Sequence, residues 1–171
     1  MSRYPRNADG TLTELSQLHL PEIGIKKPQA VHVAYRADYG DRFGQGIVDL
    51  QPPVLGQAFR SRVPQNDPLG NEVGGIRNVW VAAPVATYLA WNRRSDGALT
   101  DFRGTFIPLS KAASSADSRP HIKALYQDRA TFVSLSRRVA DELAESGYLL
   151  AEDVDRAVEF NRSLWDWLHA D

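Results

Sequence analysis

All ten prolines lie at or before Pro120, and eleven of the twelve glycines lie at or before Gly104. From His121 onward there is no proline and one glycine, Gly147. Proline fixes φ and removes a backbone donor, while glycine opens positive φ, so together they cut a chain into turns and short extended pieces. This division predicts a turn-rich, extended first two-thirds and a helical last third. The expected fold is α+β: a small irregular antiparallel sheet, an extended N-terminal arm and a C-terminal helix pair.

Three regions follow, together forming one structural unit. Residues 1–30 read as an arm: Asn7-Ala8-Asp9-Gly10 is a turn signal, and Pro21 and Pro28 keep the chain extended. Leu12, Leu15, Leu18 and Leu20 give an apolar stripe around a helical turn that needs something else to cover it. Residues 31–112 read as β-rich. Val31, Val33 and Tyr35 alternate as in a half-buried strand, and residues 46–50 and 58–63 suggest two more. The apolar run from Ile76 to Trp91 is broken by Pro84, which predicts a strand at 78–83 and a second element at 85–91. Phe102, Phe106 and Ile107 form a small apolar anchor before Pro108.

Residues 113–171 read as a polar linker, 113–120, followed by two helices. Phe132, Leu135, Val139 and Leu143 recur at helical spacing over 129–146, with Asp128 as N-cap and Gly147 at C′. A second helix over 152–168 places Val154, Val158, Trp165 and Leu168 near one face, with Asn161 among them and acidic residues at its positive end. Trp165 and Trp167 are two residues apart and cannot share a face, so one belongs to the core and the other to a surface.

The search for chemistry mostly excludes. Twenty basic residues against twenty-one acidic ones give a net charge of −1, unlike the basic footprint of a nucleic-acid binder. The chain has no cysteine, which removes disulfides, Cys-based metal sites and thiol nucleophiles. No stretch matches G-x-S-x-G, a P-loop, G-x-G-x-x-G or H-E-x-x-H, and the four histidines are far apart in sequence. No metal or cofactor is implied. Neither a signal peptide nor a membrane-spanning run is visible, so the cytoplasm is the default compartment and no membrane partner is expected. The acidic residues of the two helices alternate with arginines, as on a solvated face. The most suggestive cluster is Arg77, Trp80, Tyr88, Trp91 and Asn92, with Arg93 and Arg94 beside it and Phe106 further on. It suits a pocket for an aromatic or acyl group whose carboxylate an arginine reads, or an interface. The alternative is that Trp80 and Tyr88 are core residues and the arginines are exposed.

Several stretches carry a resemblance over nearly the whole chain. They are Ser2-Arg3-Tyr4-Pro5-Arg6 with Ala8-Asp9-Gly10-Thr11-Leu12, then Tyr35-Arg36-Ala37-Asp38-Tyr39-Gly40 and Gln51-Pro52-Pro53-Val54-Leu55-Gly56. Val63-Pro64-Gln65 with residues 70–77, Pro84-Val85-Ala86-Thr87-Tyr88 with Trp91-Asn92, residues 104–108 and residues 148–153 continue them in order. In these the chain resembles the C-terminal part of bacterial α/β-hydrolase domain-containing proteins. Asn78-Val79-Trp80 departs from the Pro-Glu pair the family tends to show. The resemblance implies a carboxylic-ester hydrolase family whose nucleophilic serine and activating histidine lie upstream of the Ser-Arg-Tyr-Pro stretch. No position here matches either motif, so no catalytic residue is carried over. The implied role is to complete or cover a hydrolase core, with that core or a second copy as partner. A stand-alone binding module is the alternative, and an enzyme assembled from scattered residues a third.

Overall fold

The computed structural model describes residues 11–25, 27–28, 33–95, 98–100 and 103–170. Val31, His32, Phe102 and the turn expected at residues 7–10 lie outside them. The order of elements is β1 Leu12–Thr13, β2 Tyr35–Asp38, β3 Val54–Ala58, β4 Val63–Pro64, α1 Val79–Ala82, β5 Ala86–Leu89, β6 Asn92–Arg93, β7 Leu99–Thr100, β8 Thr105–Pro108, α2 Ile122–Leu125, α3 Arg129–Glu145 and α4 Val154–His169. The strands form four two-stranded antiparallel ladders: β1 with β4, β2 with β3, β5 with β8, and β6 with β7. The chain is α+β, as its punctuation predicts.

The helix pair forms for the expected reasons. The Asp128 carboxylate accepts from the Thr131 backbone N–H at 2.7 Å and caps α3. Gly147 takes φ +76° just beyond it, in the left-handed region that other residues disfavour. Phe132 and Trp165 stack across the pair with ring centroids 4.9 Å apart, and Tyr126 packs edge-on to both. With Ala83, Val85, Leu109 and Ile122 they make the main core. A second cluster joins Val79, Ala140, Val154 and Val158.

Several expectations are corrected. Residues 78–83 do not form a strand. The Asn78 side chain accepts from Val81 N at 3.1 Å and starts the short helix α1, whose Val79 is buried on α3 and α4. Tertiary packing and a cap here outweigh the β-propensity of two valines. Residues 46–50 form no strand either; they follow a 3-10 turn, and Asp49 and Leu50 both donate to Tyr39 O. The strand expected at 58–63 is absent; β3 ends at Ala58 and β4 begins at Val63. In the arm, Leu18 is buried and β1 pairs with β4, while Leu12, Leu15 and Leu20 are half-buried. The segment 113–120 is likewise no free linker, because Arg119 is buried and anchors it to β5 and β8.

What stays uncovered is the β2–β3 hairpin. Tyr35, Phe43, Val48, Val54, Leu55 and Phe59 are each between 47% and 61% exposed. Its two strands make their main contacts with each other. A lone two-stranded ribbon is at best marginally stable in water.

Candidate functional site

Strands β5 and β8 form the platform on which the candidate residues stand. Leu89 O lies 2.6 Å from where a Cβ would sit on Gly104, so only glycine lets β8 start this close to β5. Underneath, the Asn71 side chain bridges strand and turn: Nδ2 donates to Ala86 O at 3.1 Å, and Oδ1 accepts from Tyr88 N at 2.7 Å. The Thr87 hydroxyl donates to Leu69 O. The Arg119 guanidinium donates to Thr87 Oγ1 at 2.8 Å, Ile107 O at 2.9 Å and Pro108 O at 2.7 Å, and forks onto the Asp117 carboxylate. These donors hold the Asp117 pKa below the ordinary carboxylate value.

On this platform the six residues singled out from sequence go to different places. Tyr88 and Phe106 meet edge-on at 5.4 Å, and Phe106 meets Trp167 of α4 at 5.7 Å, giving a ladder of three rings. The Tyr88 hydroxyl is buried with no hydrogen-bond partner, and burial pushes its pKa up. Trp91, in the connection between β5 and β6, and Asn92, at the start of β6, line an open cleft of about 330 Å³ with Gly24, Arg94 and Thr105. Trp91 also walls a smaller, more enclosed cavity of about 80 Å³. Arg77 and Trp80 are elsewhere. Arg77 donates to the Asp67 carboxylate at 2.7 Å and to Val81 O at 2.9 Å, so its charge is spent on tying a turn to α1. Trp80 packs edge-on against Phe160 of α4 at 5.2 Å.

The structure therefore joins Tyr88 with Phe106 and Trp91 with Asn92, but separates Arg77 and Trp80 from both. Trp167, 58% exposed, completes the ring ladder, while Trp165 is core. Sequence reading missed Asn71, Glu72 and Arg119. Glu72 lines the small cavity beside Trp91, and burial raises its pKa. A polar residue next to a turn signal gives little sign in sequence that it will be buried.

Among the described residues no histidine is hydrogen-bonded to a serine hydroxyl or a carboxylate. His169 faces its own helix, with Nδ1 2.8 Å from Trp165 O, and stacks on Trp165. Ser110 and His121 sit close in the fold, since Ile122 N donates to Ser110 O, yet Ser110 Oγ and His121 Nδ1 are each without a partner. No group of three or more metal-ligating side chains occurs among the described residues, and no described helix is long and apolar enough to cross a membrane.

The sequence matches the family model described as an alpha/beta hydrolase domain over residues 24–159, and the chain belongs to that family. No curated protein and no solved structure matches the chain.

Proposed function

We propose that this chain is the C-terminal part of an α/β-hydrolase-type protein and completes or covers a carboxylic-ester hydrolase core without supplying a triad member. The observation that carries the reading is the β2–β3 hairpin. Its large apolar side chains on both faces are turned to solvent in the isolated chain. Exposed apolar surface of this extent marks a surface made to be covered. Family membership makes a hydrolase core, in which a serine, a histidine and an oxyanion hole would perform acyl transfer, the partner we infer. The Tyr88–Phe106–Trp167 ring ladder and the Trp91 cleft would then border the substrate pocket.

The test is reconstitution. An α/β-hydrolase core bearing G-x-S-x-G is co-expressed with the chain. The expected result is a one-to-one complex that hydrolyses short-chain esters, and that is lost when Leu55 and Phe59 are both replaced by Asp. A complex that forms equally well with those replacements contradicts the hairpin's role. Assembly of the chain with itself through the same hairpin, and not with the core, would replace the reading by self-association.

A further inference from the structure

The cavity behind Trp91 contains an unusual wall. Glu72 stands directly opposite Asn66 across a short turn, so the two side chains share one face. Both line the enclosed space of about 80 Å³. Asn66 Nδ2 is committed to Gly70 O at 2.8 Å, which leaves it no free role toward a carboxylate beyond its second proton. Among the described residues no ion pair or hydrogen bond reaches the Glu72 carboxylate. The other walls are apolar: Leu18, Val63, Leu89, Leu99 and the Trp91 indole.

A carboxylate half-buried against leucines, with no donor among the described residues, is only partly hydrated, and burial raises its pKa. A guest that brings a positive charge, N–H donors and a short apolar body supplies the missing donors. The ammonium would donate charge-assisted hydrogen bonds to Glu72, the indole face would attract the cation, and the leucines would cover the alkyl part. Volume limits the guest. An engineered cavity of about 150 Å³ holds benzene, so about half that volume takes about three or four non-hydrogen atoms. The enclosure favours a free small molecule over a lysine side chain carried by another protein. We propose that this cavity is a binding site for a free short-chain alkylammonium ion, with Glu72 as its counter-ion and Trp91 as its aromatic wall. The site is built entirely within this chain, so it does not depend on a hydrolase core.

The experiment titrates the purified, full-length chain at neutral pH with n-propylammonium chloride and follows the Trp91 indole N–H by NMR. That signal is assigned by its loss in Trp91→Phe. A saturable shift in the range of millimolar amine is expected for so small a ligand. Glu72→Gln should weaken it about tenfold, the cost of losing one charge-assisted bond. Leu99→Phe, which fills the cavity while keeping the charge, should abolish the shift. Sodium propionate at the same ionic strength should leave the signal unmoved. No saturable shift with the amine, an equal affinity in Glu72→Gln, or equal binding of propionate would each overturn the assignment. None of these results bears on whether the hairpin docks on a core.

Discussion

Replacing Arg119 tests how the candidate site is held. Its side chain is 2% exposed and makes five hydrogen bonds, two to Asp117 and one each to Thr87 Oγ1, Ile107 O and Pro108 O. Arg119→Met keeps much of the length and removes every donor. It leaves two carbonyls and a carboxylate without their partner, and breaking a buried pair in this way costs about 3–5 kcal/mol. That is a large share of a typical total of about 5–15 kcal/mol. Arg119→Lys keeps the charge, but an ammonium cannot reproduce the planar fork, so it should cost about half as much. The pH dependence has a definite sign. Asp117 is held below its ordinary pKa by Arg119, so its contribution is present above the unfolded carboxylate value. It is lost as pH falls through the folded value, and that acid-side loss should shrink in Arg119→Met. Urea unfolding followed by circular dichroism, at neutral pH and in acid, measures all three quantities. A Met variant within about 1 kcal/mol of the native chain, or equal costs for Met and Lys, would refute the clamp.

Three further outcomes follow from other sites. Asn161 is fully buried and donates to Ala83 O at 3.1 Å and Ser136 Oγ at 2.8 Å, so Asn161→Ala should lower unfolding stability by about 2–3 kcal/mol in the same urea assay. Glu72 has a folded pKa above its ordinary value, so the native chain should lose stability as pH rises from that ordinary value through the raised one. Glu72→Gln should therefore raise the thermal midpoint at neutral pH and flatten this dependence; an unchanged midpoint would contradict the unpaired carboxylate. Leu55→Asp with Phe59→Asp, both on the exposed hairpin, should change the stability of the isolated chain by no more than about 0.5 kcal/mol per site while reducing aggregation in light scattering.

The helical third was legible in sequence because several independent signals agree there. The Phe132–Leu143 periodicity, the Asp128 cap and the Gly147 stop each point to the same helix, and its observed span is Arg129–Glu145. The β-rich part was less legible because short apolar runs do not fix their own conformation. Val79 and Val81 favour a strand locally, yet Asn78 caps them into a helix that fills the angle between α3 and α4. Nothing local in sequence shows that Leu18 is buried and lines one cavity with Val63, Leu89 and Leu99. At the candidate site, residues close in sequence came together only in part. Tyr88 and Phe106 meet through strand pairing, while the turn to α1 directs Arg77 and Trp80 away. Arg119 and Glu72 matter through contacts with residues distant in sequence, which no local pattern encodes.

The central claim is that this member of the α/β hydrolase family contributes surface and not a triad. The direct measurement is ester turnover by the purified chain alone, sized by light-scattering chromatography and assayed on a short-chain aryl ester. A well-behaved species with no turnover above a buffer control is expected. Saturable turnover that disappears when one histidine is replaced would contradict the claim, and would place a working nucleophile and base within these 171 residues.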